Sequence, residues 1–214
     1  MLFAHENWTA AGILDKIEAV AAKRSLADLS VGPVLTHTTE SILEHTALLL
    51  KIPGSRLLFG GEELADHDIP KCYGAVKPTA VFVPLDELLK PGNFEDCVSE
   101  IFGPFQVVTE YKDAEISKVL EACERMSHHL TAAVVSNDAK FCKDVLGSTV
   151  NGTTYTGRRA RTTGAPQNHW FGPGGDPRGA GIGSKEAIQL VWSCHREIIT
   201  DQIVPDDWVQ PQTS

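Results

Sequence analysis

Apolar positions in the first fifty residues recur at helical spacing. Ile13, Ile17 and Val20 fall at i, i+4 and i+7 with Leu14 and Ala21 beside them, which predicts a helix opened by Asn7 or Thr9 and buried along one face. Ser30-Val31-Gly32-Pro33-Val34 breaks that period. Thr38 or Thr39 then opens a second helix, with Glu40 in its first turn, Leu43, Ala47 and Leu50 on one stripe, and Lys51-Ile52-Pro53-Gly54 as its stop. The pattern next shortens: Leu57-Leu58-Phe59-Gly60-Gly61 and Ala80-Val81-Phe82-Val83-Pro84 are brief apolar runs ended by glycine or proline and predict strands, as does Gln106-Val107-Val108-Thr109. Asp113 is placed to cap a helix carrying Ile116, Val119, Leu120 and Cys123 at i, i+3, i+4 and i+7. The β-branched run from Leu130 to Ser136 predicts a strand buried on both faces. Asn137 starts a helix with Phe141 and Val145, stopped by Gly147, and Thr149-Val150-Asn151-Gly152 supplies a further short strand. This alternation predicts an α/β fold, a mostly parallel sheet with covering helices joined by right-handed crossovers.

From Gly152 to Gly183 periodicity stops and Gly, Pro, Thr and Arg dominate, a length of loop that is usually functional or disordered. His169-Trp170-Phe171 ahead of Gly172-Pro173-Gly174-Gly175 argues for an ordered lining. Glycine-rich backbone presents N–H groups without side-chain obstruction, and such a nest can hold a carboxylate. Arg158, Arg159, Arg161 and Arg178 are either a bidentate alternative for that carboxylate or a solvated basic loop. Ser184 caps a helix with Ile188, Val191 and Trp192. The segment from His195 to Thr200 alternates only in part. The tail from Pro205 to Ser214 is polar and expected to be loosely ordered.

Composition narrows the function. A chain of 214 residues with 42% hydrophobic content can bury a sizeable core. A net charge of −9, with no Lys/Arg-rich face, argues against a nucleic-acid partner. No apolar run has bilayer length, so no membrane partner is expected. Cys72, Cys97, Cys123, Cys142 and Cys194 are scattered without a CxxC pair, which suits thiols in a reducing compartment rather than a disulfide frame or zinc site. Glu62, Glu63, Asp66, His67 and Asp68 form an acidic stretch that reads as a solvated loop rather than a metal site. His128-His129, at the mouth of a strand, is open to a base role but is the ordinary choice for a solvated connection. Met1 to Glu6 has neither a basic n-region nor an Arg/Ser-rich leader, so no targeting segment is expected.

The stretch Glu100-Ile101-Phe102-Gly103-Pro104-Phe105 puts a lone carboxylate and an aromatic ring beside a Gly-Pro turn, directly before a buried strand. A carboxylate only accepts hydrogen bonds and so suits neighbouring hydroxyls, such as those of a ribose. The ring two residues on offers a flat apolar face to a heterocycle. The same pattern also describes a strand-entry turn with a solvated glutamate.

These residues resemble the EIFGP signature of the aldehyde dehydrogenase superfamily. The resemblance continues through Val150-Asn151-Gly152, the loop from Thr162 to Gly172 and the segment Trp192-Ser193-Cys194-His195-Arg196-Glu197. Together they are most similar to the plant-type Δ1-pyrroline-5-carboxylate dehydrogenases, over essentially the whole chain but only the C-terminal portion of the family's length. The resemblance implies the aldehyde dehydrogenase catalytic-domain fold and oxidation of glutamate γ-semialdehyde with NAD: a thiolate attacks the aldehyde, hydride passes to nicotinamide, and water hydrolyses the thioester. It implies that Glu100 holds the nicotinamide ribose, that Phe102 packs near the nicotinamide, and that Phe171, Gly172, Gly174 and Gly175 line the substrate pocket. Pro173 stands where the commoner pattern has a second glycine. The resemblance places the catalytic cysteine and the general base before Leu2-Phe3-Ala4-His5-Glu6-Asn7-Trp8, so no catalytic residue and no metal ligand is expected within the chain. It further implies catalytic-domain sequence over 1–194, an oligomerisation strand and tail over 195–214, a homo-oligomer, and a mitochondrial matrix location. The alternative is a non-catalytic oligomerisation or binding module.

Overall fold

The computed structural model describes residues 1–127, 129, 131–151, 153–157, 169–170 and 181–182. The chain divides into two units, Met1–Ser127 with Asp144–Thr149, and His128–Lys143 with Val150–Ser214.

In the first unit the order is β1 (Leu2–His5), α1 (Glu6–Ala10), α2 (Ile13–Ala21), α3 (Thr39–Leu49), β2 (Arg56–Phe59), β3 (Thr79–Phe82), α4 (Leu85–Leu88), α5 (Asn93–Val98), β4 (Phe105–Tyr111) and, after a 3-10 turn at Asp113–Glu115, α6 (Ile116–Arg125). The sheet runs β1-β4-β3-β2, with β4 parallel to both β1 and β3, and β2 antiparallel at the edge with an irregularity between Leu57 and Phe59. This is the mostly parallel α/β sheet that the alternation of periods predicts. β3 and β4 are the central strands, and their Val81, Val107 and Val108 are all nearly inaccessible, as expected where helices cover both faces. Val81, Val83 and Val107 pack with Leu49, Ile52, Leu88, Phe94, Cys97 and Ala122, while Leu85, Tyr111 and Val119 form a neighbouring cluster. A separate cluster of Val34, Ile42, Val76 and Ile101 lies beneath the turn that enters β4.

In the second unit β5 (Thr131–Val134) pairs in parallel with β6 (Thr153–Thr156), and β7 (His169–Trp170) pairs antiparallel with β8 (Gly181–Ile182). The connection from β5 to β6 runs through α7 (Ala139–Gly147), so the predicted strand-helix-strand succession is present.

Several local expectations are corrected. α2 is preceded by Gly12 in a left-handed conformation rather than capped by Asn7 or Thr9, and none of its residues is buried; Val20 is 51% exposed. The apolar face exists, but α1 and β2 cover it only partly. On α3 the buried stripe is Ile42, Thr46 and Leu49, rotated one residue from Leu43, Ala47 and Leu50. A threonine can occupy that face because its Oγ1 donates to the Ile42 carbonyl at 2.8 Å, so no polar atom is stranded. Thr38 is the cap, its Oγ1 accepting from the Ser41 N–H. Asp113 is not a cap: Glu115 accepts from the Lys112 N–H instead, and Asp113 accepts from His5 Nε2 at 3.0 Å. β5 is mostly half-buried, and the last short strand begins at Thr153 rather than Thr149. α7 is capped by Asp138 rather than started by Asn137: the Asp138 Oδ1 accepts from the Lys140 and Phe141 N–H groups.

Candidate functional site

The turn leading into β4 is built from its buried ends outward. α5 is held by Phe94 and Cys97, both in the main core, with the Arg125 guanidinium 3.9 Å over the Phe94 ring. Two residues past the end of this helix comes Glu100, exposed, and then Ile101, only 7% exposed and packed with Val34, Ile42 and Val76. The Gly103 N–H donates to the Ile101 carbonyl and the Phe105 N–H to the Gly103 carbonyl, both at 2.7 Å. Two successive three-residue turns result, with Phe102 and Pro104 at their apices. Reversing direction twice in five residues forces Phe102 outward, and it is 72% exposed although aromatic.

β3 holds the far end. The Thr79 N–H donates to the Pro104 carbonyl at 2.8 Å, and Thr79 Oγ1 both accepts from the Gly61 N–H and donates to the Lys77 carbonyl. Glu100 and Phe102 therefore sit at the surface on a base fixed at both ends. An exposed acceptor-only carboxylate and an exposed ring on one short turn can take a pair of hydroxyls and a flat heterocycle together. The two residues that the sequence singles out lie on the same exposed turn.

An open groove of about 210 Å³ runs along the flank of the same turn, lined by Ala21, Phe59, Pro78, Thr79, Gly103, Pro104, Phe105 and Gln106. Neither Glu100 nor Phe102 lines it. Close by, His45 lies against the Phe105 ring at 5.6 Å with its Nε2 buried and without a hydrogen bond. Burial lowers its pKa, Asp96 acts in the opposite sense, and His37 adds to the lowering.

Neither Cys97 nor Cys123 is an activated nucleophile. Burial pushes the Cys97 thiol up to about 12, with Asp96 adding to the effect, and burial likewise raises Cys123. Cys72 is exposed on a loop, and Cys142 Sγ lies 3.8 Å from the Ser136 carbonyl. A thiol raised in this way is the reverse of an activated nucleophile. In the acidic stretch Glu63 pairs with His67 at 3.4 Å and Glu62 with Lys77 at 2.8 Å. Among the described residues no group of three His, Cys, Asp or Glu could hold a metal ion, and no helix is long and apolar enough to cross a membrane.

Phe171, Gly172, Gly174 and Gly175 lie outside the described residues, as do Cys194, His128, Arg158, Arg159, Arg161, Arg178 and the segment from Ser184 to the C-terminus. Their neighbours are informative: the pairing of His169 with Ile182 and Trp170 with Gly181 joins the two ends of 171–180. Sequence reasoning missed the residues that seat the turn, Val34 and Thr79. The only local signal at Val34 is an apolar residue directly after a Gly-Pro break.

No family model matches the chain. A probable aldehyde dehydrogenase of Linum usitatissimum is 66% identical over 201 residues, which is 94% of this chain and 36% of that protein. The mitochondrial Δ1-pyrroline-5-carboxylate dehydrogenase 12A1 of Arabidopsis thaliana is 61% identical over 216 residues, covering the whole chain and 39% of its own length. Among solved structures, the NAD+ complex of an aldehyde dehydrogenase from Bacillus cereus matches 88% of the chain and 36% of that protein, with a TM-score of 0.58 at 20% identity, a likeness of fold. The chain thus spans less than two fifths of the length of these curated relatives.

Proposed function

This chain belongs to the aldehyde dehydrogenase superfamily, and from that premise we propose that it is part of an NAD-dependent dehydrogenase oxidising glutamate γ-semialdehyde, formed from pyrroline-5-carboxylate, to glutamate in proline catabolism. The observation that carries the reading is the turn that exposes Glu100 and Phe102 together on a buried base. The donor chemistry fits a nicotinamide riboside: Glu100 can accept from both ribose hydroxyls, and the open face of Phe102 can bound a flat ring. When bound, NAD supplies the hydride acceptor. Glu100 fixes the ribose in register, Phe102 limits where the ring lies, and the two turn hydrogen bonds at 2.7 Å hold both groups to one rigid segment.

Phe171, Gly172, Gly174 and Gly175 line the pocket for the substrate, with glycine N–H groups available to its remote carboxylate. The thiol nucleophile comes from sequence outside these residues, in keeping with the raised Cys97 and Cys123 thiols. Residues 1–194 serve the catalytic domain, and 195–214 provide a strand for a homo-oligomer. A mitochondrial location follows the Arabidopsis relative, whose name includes the word mitochondrial, and the matrix is the compartment proposed within it. The raised thiols also favour a second reading, in which the 214 residues alone form a non-catalytic oligomerisation or binding module.

The test is NADH production from glutamate semialdehyde and NAD by the purified 214-residue chain, beside a version extended upstream to the length of the relatives. Turnover by the extended protein alone supports the proposal. Turnover by the short chain would place the nucleophile among its five cysteines and overturn that part of the reading. Neither protein turning over, while both bind a second copy or another protein, would favour the second reading.

A further inference from the structure

We propose that Val34 is a positioning residue for the nicotinamide-facing turn: its side chain is the seat that fixes the height of Gly103, and through it the placement of Glu100 and Phe102. This rests on the cofactor reading of that turn.

Val34 is 1% exposed and is itself held rigidly. Its N–H donates to the Gly74 carbonyl at 2.8 Å and the Gly74 N–H returns a bond to its carbonyl at 2.9 Å, an isolated antiparallel bridge. Gly74 has no room for a side chain. A Cβ there would meet Ile42 Cδ1 at 2.6 Å, the His37 carbonyl at 2.9 Å and Val34 Cβ at 3.0 Å. The next residue, Ala75, donates its N–H to Thr39 Oγ1 at the start of α3. Val34 is therefore clamped between α3 and the Gly74 segment, with its methyls facing the turn.

Gly103 sits directly on those methyls. A Cβ at Gly103 would meet Val34 Cγ2 at 2.4 Å and Cγ1 at 3.3 Å, and its φ lies outside the left-handed range, so space alone demands glycine. Ile101 packs into the same cluster, which stops the turn from sliding sideways, while the Thr79 bond to Pro104 stops it from rising. Gly103 is the residue the two turns share, donating its N–H in one 2.7 Å bond and accepting through its carbonyl in the other. Any displacement there is passed to Phe102, its immediate neighbour, and to Glu100. The signature glycine is thus half of a two-residue fit whose other half lies far away in sequence.

The experiment uses the full-length enzyme carrying this sequence and measures the single-turnover hydride rate and the NAD dissociation constant for Gly103→Ala, Val34→Ala, the double variant, Val34→Ile and Glu100→Gln. Gly103→Ala should slow hydride transfer by about 10- to 100-fold, since misplacement of about 1 Å costs about 100-fold. Removing the Val34 methyls should relieve the clash, so that the double variant is faster than Gly103→Ala and within about threefold of Val34→Ala. A merely structural role would lower thermal stability without this rescue of the hydride step. Val34→Ile crowds the same contact from below with the glycine intact, and should reproduce the Gly103→Ala defect even where that variant does not fold. A double variant no better than Gly103→Ala, with Glu100→Gln still slow, would overturn the seating role and leave the cofactor reading intact. Glu100→Gln with an unchanged hydride rate would overturn the cofactor reading, and this proposal with it.

Discussion

Gly60→Ala should be among the most damaging single-methyl additions to the chain. Gly60 has φ of +76°, and a Cβ there would meet the Pro78 carbonyl at 2.2 Å, Thr79 Oγ1 at 2.6 Å and Thr79 Cα at 2.7 Å. Two of these are backbone atoms at the entry to a central strand and cannot swing aside as a side chain would. Holding alanine in the left-handed region costs about 1–2 kcal/mol, and overpacking adds about 1–3 kcal/mol, giving a loss of about 2–5 kcal/mol. Gly12 is the control: its φ of +75° and ψ of 32° are left-handed, yet a Cβ there meets only Asp15 Oδ2, at an ordinary 3.8 Å. Gly12→Ala should therefore cost only the backbone strain, about 1–2 kcal/mol. With a urea slope of about 2.5 kcal/mol/M, the midpoint should fall by about 1–2 M for Gly60→Ala and by about 0.5 M for Gly12→Ala. Urea titration followed by circular dichroism, with hydrogen exchange at β3 as a local reporter, measures both. Equal shifts for the two variants would refute the steric reasoning, because only the contacts distinguish the sites. Thr79 also holds Pro104, so Gly60→Ala should speed exchange at the Phe105 N–H as well.

Other outcomes follow from single groups. Cys97, 3% exposed with its thiol pushed up to about 12, should be about one part in ten thousand thiolate at pH 8; in iodoacetamide mapping exposed Cys72 is labelled first and Cys97 only on unfolding. Burial lowers His45, so the unfolded chain takes up its proton first as pH falls through about 6.5. Stability present near pH 8 is then lost toward pH 5, and His45→Leu, which removes the unpartnered Nε2, should flatten that dependence; an equally steep profile in the variant would assign it elsewhere. Ile42→Ala, at a fully buried position beneath the turn, should cost about 2–5 kcal/mol in the same urea assay.

The sheet was legible because β3 and β4 are short apolar runs whose ends are marked by proline and glycine, and both faces of such strands are covered. The burial stripe on α3 was not. Its register turns on Thr46, a polar residue that becomes tolerable inside only once its hydroxyl bonds to Ile42, and hydrophobic spacing cannot see that bond. Asp113 looked like a cap because caps are local, but its partner is His5, on the strand beside β4. The Glu100–Phe102 pairing could be read from a contiguous motif. Its seat on Val34 could not, since nothing in the neighbourhood of either residue refers to the other. Phe171 and the glycines after it stand out by their sequence alone, between the paired residues His169–Trp170 and Gly181–Ile182.

On the proposed reading the exposed turn orients a nicotinamide ribose for hydride transfer. Glu100→Gln in the full-length enzyme tests it most directly, because the swap keeps size while replacing an acceptor-only group by a mixed donor and acceptor. The expected result is a single-turnover hydride rate reduced by up to about 100-fold, with the NAD dissociation constant changed by much less. A dissociation constant that rises while the hydride rate stays unchanged would contradict it.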